Sequence, residues 1–117
     1  MVVATTKSVT STGGNIAINA PRDITLTGTG TVITSGTGTL TLTADADNLT
    51  SGAINANNST TAIQAGSGLV TLLARTGIAA GTTIDNVTAT NSAGGTSTIV
   101  IADTAGGLTV STGGVNQ

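Results

Sequence analysis

The chain has 117 residues, enough for one domain, and is 38% hydrophobic without a single Phe, Trp or Tyr, so any core is built from Ile, Leu, Val and Ala. Three Lys or Arg residues and a net charge of −2 exclude the cationic cluster that nucleic-acid binding requires. The absence of Cys and His excludes a disulfide scaffold, a thiolate metal site and the commonest general base.

Met1 to Lys7 has no basic region followed by a long apolar run, so no signal peptide is expected there, and no stretch of the chain reaches transmembrane length. Alternation starts at Asn15-Ile16-Ala17-Ile18-Asn19-Ala20, which predicts a half-buried strand with Ile16 and Ile18 inward. A short strand over Asp23–Thr27 and a looser apolar position at Val32-Ile33 follow. The same order then recurs. Thr39–Ala44 alternates, Asn48-Leu49-Thr50 is the expected second strand, and Ile54 or Ile63 fills the third position. Leu69–Ala74, Gly77-Ile78-Ala79, and Ile84 or Val87 form the third set. Thr98–Ala102 and Gly107–Val110 open a fourth. Glycines at Gly13-Gly14, Gly36 with Gly38, Gly66 with Gly68, and Gly94-Gly95 punctuate the sets.

Aligning the second inward residue of each set gives Ile18, Leu42, Leu72 and Ile101, at spacings of 24, 30 and 29. Repeats of this length are the mark of a solenoid, in which each turn presents one face to the next. A β-sandwich of hairpins shares the alternation. It has no reason to repeat at this spacing, and the Asn-Gly and Asp-Gly turns that hairpins favour do not occur here. Gly, Thr, Val and Ile without a 3.6-residue period argue against helices. The expected fold is all-β, a right-handed parallel β-helix of about four rungs with 24–30 residues per rung. It forms a single domain over 1–117: an N-terminal edge at 1–12, rungs at 13–112 and a tail at 113–117. Neither end reads as an amphipathic cap, so the first and last rungs are expected to expose open sheet edges.

Segments such as Gly14-Asn15-Ile16-Ala17-Ile18-Asn19-Ala20 and Gly38-Thr39-Leu40-Thr41-Leu42-Thr43-Ala44, each followed by an Asp/Asn-Ile/Leu-Thr strand, resemble the shaft repeats of filamentous-haemagglutinin-type adhesins. These are large exoproteins of bacterial two-partner secretion, and the likeness runs from about Gly13 to Thr112. The resemblance implies a fibre at the bacterial outer surface or in the extracellular space, and shaft repeats bring no catalytic motif. This chain lacks the family's amino-terminal secretion domain and is far shorter than its members, so it looks like a shaft segment or a small self-stacking relative.

Asp45, Asp47 and Asn48 form an Asp-x-Asp-Asn turn that could begin a calcium loop, but Ala56 stands where a closing Glu would be needed. A polar turn is the simpler reading. Asp45 lies 30 residues before Arg75, the offset of Leu42 to Leu72. The two are expected to stack as an exposed ion pair worth less than about 1 kcal/mol, with Arg22 on the rung below. Asp23, Asp85 and Asp103 are scattered, and without Glu or aromatic platforms no glycosidase-like site is expected. Thr-x-Thr pairs at Thr25/Thr27, Thr29/Thr31, Thr37/Thr39, Thr39/Thr41 and Thr41/Thr43 suggest an ice-matching face. The expected columns Ala17–Thr41–Thr71–Val100 and Asn19–Thr43–Leu73–Ala102 break that array. Gly28, Gly30, Gly36 and Gly38 open no helix and precede no Gly-Lys-Ser/Thr, so they are not a phosphate loop. Acceptor triplets for glycosylation start at Asn48, Asn57, Asn58 and Asn86, and are common by chance in an Asn- and Thr-rich chain. Asn55–Thr61 is the longest polar excursion and the best candidate for a binding loop.

The expectation is a structural protein rather than an enzyme, with no catalytic, cofactor or metal residues. Its expected partners are copies of itself stacked end to end, flanking rungs of a longer parent chain, or a host-cell surface. Nucleic acid and membrane insertion are not expected.

Overall fold

The computed structural model describes residues 1–3, 7–49, 51–57, 62–83, 86–92, 98–103 and 109–116. Those residues form thirteen strands and no helix. In chain order they are β1 (Val2–Val3), β2 (Ser8–Thr12), β3 (Ile16–Ala20), β4 (Ile24–Leu26), β5 (Thr31–Ser35), β6 (Leu40–Ala44), β7 (Ala53–Ala56), β8 (Ile63–Gln64), β9 (Leu69–Ala74), β10 (Gly77–Thr83), β11 (Asn86–Asn91), β12 (Ile99–Asp103) and β13 (Thr109–Asn116). Every pairing between them is parallel.

One sheet has five strands in the order β13-β11-β9-β6-β3. Its register places Leu42 on Ile18 and Leu72 on Leu42, as the repeat spacing predicts. The other sheet has eight strands and follows β1-β4-β7-β10-β8-β5-β2, with β12 on β10. It contains two stacks because β10 runs through both. Gly77–Ala80 pair with β7, while Thr82 and Thr83 pair with β8.

Burial follows the pleat. β3 reads buried-exposed-buried, and Leu40, Leu42, Val70, Leu72, Ile24, Ile54, Ile63 and Val32 are fully buried. Each such side chain contributes about 1.5–3 kcal/mol relative to exposure. Two buried hydroxyls are satisfied on the backbone: Thr34 Oγ1 donates to the Gly14 carbonyl at 2.9 Å and Thr82 Oγ1 to that of Ala102 at 3.3 Å.

The structure corrects the sequence reading in three places. Asn48-Leu49-Thr50 supplies no second strand: residues 45–49 are a turn, Leu49 is exposed, and β7 takes the expected place, with Ile54 stacked on Ile24. Ile63 then occupies the next stack, on Val32, so the two isoleucines fill two positions rather than competing for one. The larger correction concerns the last repeat. Ala89, not Ile101, stacks on Leu72, only 17 residues on, while Ile101 pairs with Ala80 in the eight-stranded sheet. The cause is β10, which crosses without a break the two positions that earlier repeats fill with separate strands. Likewise β13 places Val110 beside Val87 in the five-stranded sheet, and it extends to Asn116, across most of the expected tail. Within 1–12, β1 and β2 pair with β4 and β5.

Glycines set the closeness of the turn before β3, β6 and β9. A Cβ on Gly38 would collide with the Gly14 carbonyl, and one on Gly68 with the Gly38 carbonyl, because the three backbones stack directly. Gly68→Ala is therefore expected to lower stability by roughly 1–3 kcal/mol, read as the shift in a urea unfolding midpoint. An unchanged midpoint would mean that these turns do not stack.

Candidate functional site

The described residues bring polar side chains together most densely at the corner after β6. The chain turns there through Asp45 and Asn48, both at positive φ (62° and 55°), which short polar side chains tolerate. The Asn48 N–H donates to the Asp45 carbonyl at 2.9 Å, and Asp47 Oδ1 accepts from the Leu49 N–H at 3.3 Å. The turn is tied to the strands beside it. Asp45 N–H donates to the Arg22 carbonyl (3.1 Å), Ala46 N–H to that of Ala20 (2.9 Å), and the Arg75 and Thr76 N–H groups both reach the Gly52 carbonyl. Gly52 packs so closely on Asp45 that a Cβ there would strike the Asp45 backbone.

Arg75 closes the corner. Its Nη1 donates to Asn48 Oδ1 at 2.9 Å and lies 3.6 Å from Asp45 Oδ2. The Asp45–Arg75 stacking expected from the spacing is present, but the exposed pair is not. The Asp45 side chain is 2% exposed and that of Arg75 34%, because the turn folds over the carboxylate. Arg22 meets Asp45 through its backbone carbonyl, and its own residue is exposed.

The calcium alternative loses its ligands to this arrangement. The Asp45 carboxylate faces Arg75, Asp47 Oδ1 accepts from the backbone, and Asn48 Oδ1 accepts from Arg75. Among the described residues no three acidic side chains converge. Asp23 is also structural, its Oδ1 accepting from the Ala53 N–H at 2.9 Å. Beside the corner runs a shallow groove of about 260 Å³, bordered by Thr43, Asn48, Leu73, Thr90 and Ser92.

The altered register rewrites the threonine columns. They read Ala17–Thr41–Thr71–Thr88 and Asn19–Thr43–Leu73–Thr90, with Thr88 and Thr71 hydroxyls 3.4 Å apart. Val100 and Ala102 belong to the other sheet. The second column still breaks at Leu73, so a continuous two-column array is not formed. Of the glycosylation triplets, Asn48 sits in the corner turn bonded to Arg75, and Asn57 is exposed after β7. Asn86 begins β11, and Asn58 lies outside the described residues. The proposed binding loop, Asn55–Thr61, starts inside β7, where Asn55 pairs with Thr25, and its residues 58–61 lie outside the described residues.

One feature had no sequence signal. Asn91 is 3% exposed, sits in register with Ala74, and neither its Oδ1 nor its Nδ2 has a hydrogen-bond partner. An Asn at a strand end reads as a turn residue, and only the 17-residue step turns it inward.

Comparison with protein-family models, curated proteins and solved structures finds no match. The corner's polar groups are thus interpreted on their own geometry, which is that of a clamp between neighbouring strands. Because Asp45 is buried, Arg75→Ala should cost more than an exposed pair would, about 1–3 kcal/mol in chemical denaturation. A loss under about 0.5 kcal/mol would show that the carboxylate is solvated as an exposed pair would be.

Proposed function

We propose that the chain is a right-handed parallel β-solenoid and serves as a non-catalytic shaft segment of a bacterial cell-surface or secreted adhesin fibre. The observation that carries this reading is the pairing pattern. Every described pairing is parallel, and each links one repeat to the next along stacks such as Ile24–Ile54–Ile78–Ile99. Parallel neighbours need crossover connections, and these are right-handed in about 98% of cases where the two strands share a sheet. Five strands in a stack make a column about 19 Å long between its outer strands.

A shaft needs stiffness, length in modular steps and an inert surface. The ladder hydrogen bonds and buried aliphatic stacks supply the first, and the repeats the second. The third is favoured by low charge and by a densest polar cluster, at Asp45 and Arg75, whose groups are engaged with one another. The likeness of the Ile16–Ala20 and Leu40–Ala44 segments to filamentous-haemagglutinin-type repeats points to the bacterial surface.

Removal of one whole repeat tests the architecture. Deleting residues 43–72 joins equivalent positions, since Leu72 stacks on Leu42, and should leave a cooperative β-fold one layer shorter. Deleting 43–57 should abolish folding, as judged by circular dichroism and thermal melting. Equal outcomes for the two deletions would contradict the solenoid. For the location, antibodies against the folded chain should label intact producing cells, and labelling that requires permeabilisation would contradict a surface fibre.

A further inference from the structure

We infer that the two ends of this chain are complementary to each other, so that a second copy docks head to tail and the contact repeats into a filament. The inference rests on the solenoid reading but concerns a partner that a shaft segment does not require.

The column that contains Val2 runs Val2–Thr25–Asn55–Ala79–Val100. Its two outermost members are large apolar side chains on the solvent side, 66% and 57% exposed, whereas the three between them are Thr, Asn and Ala. Met1 is also exposed (46%) and stands one residue before Val2, as Ile99 stands one before Val100. Of four exposed large hydrophobic residues among those described, three therefore lie on the terminal strands of a single stack. Exposed apolar residues scattered singly need no explanation, but this placement at both ends of one column does.

The backbones agree with the side chains. At one end β1, β2 and β3 each have a strand on one side only, and at the other β12 and β13 do. All run parallel to the stacks they terminate, so a copy translated along the column can continue each ladder without reversing direction. The register then sets Val2 on Val100 and Val3 on Ile101, with Met1 beside Ile99 and β3 following β13. Such a contact joins two different surfaces and is not self-limiting, so it propagates as an open filament. Ile16 and Ile18 on β3 are each 8% exposed, against 0% for Leu40 and Leu42 one layer in, and the docked strand would complete their cover.

The absence of cysteine makes a disulfide trap clean. In a Val2→Cys/Val100→Cys variant, one chain cannot bridge its own ends, since a column of about 19 Å exceeds the roughly 7 Å Cα limit of a disulfide. Mild oxidation should therefore give a ladder of dimers, trimers and longer species on a non-reducing gel. Velocity sedimentation of the unmodified protein should show mass rising with concentration. Val2→Lys/Val100→Lys, which sets like charges together at the join, should stay monomeric with an unchanged melting curve, and Val2→Lys/Val100→Glu should assemble again. A monomer at millimolar concentration, or assembly that survives the double-lysine change, would overturn the inference. If assembly fails while the deletion of 43–72 still folds, the stacking is wrong and the solenoid stands.

Discussion

The structure depends on one constraint: each strand must find its backbone partners one repeat away, in parallel and in register. A parallel ladder carries no tight hairpin, so the chain has to leave the sheet and return on a path of a dozen residues or more. Here the return takes 24 residues from Ile18 to Leu42, 30 from Leu42 to Leu72 and 17 from Leu72 to Ala89. The strands hold their register while the connections absorb the difference. Extra length is accommodated as the Asp45 turn, and missing length is made up by β10 running straight through a corner.

Composition follows from the same constraint. A thin interior filled from several sides has room for Ile, Leu, Val and Ala in ladders, and the chain contains no aromatic residue to interrupt them. The turns stack as tightly as the strands do. Hence glycine at Gly38 and Gly68, where backbone lies on backbone, and hence the burial of Asp45 beneath its own turn, with Arg75 supplied from the following repeat to meet its charge.

Much of this was legible in the sequence because alternation and spacing are written in residue type. Ile16–Ala20, Leu40–Ala44 and Leu69–Ala74 were identifiable as stacked strands, and the 30-residue offset placed Arg75 beside Asp45. Other features were hidden for physical reasons. Period-2 patterning tells which face is buried but not which sheet a strand joins, so Ile99–Asp103 looked like a fourth copy of the wrong strand. Val87-Thr88-Ala89 carries the true fourth copy in smaller side chains. Burial of the Asp45 carboxylate depends on how the turn folds over it, and nothing in the spacing of charges encodes that.

Methyl–methyl contacts measured by nuclear magnetic resonance on Leu-, Val-, Ile- and Ala-labelled protein test the central claim most directly. Parallel stacking one repeat apart requires Leu72 to contact Leu42 on one side and Ala89 on the other, with Ile101 near Ala80. A contact of Leu72 with Ile101 in place of Ala89, or contacts pairing Ile16 with Ala44 as antiparallel strands would, would contradict it.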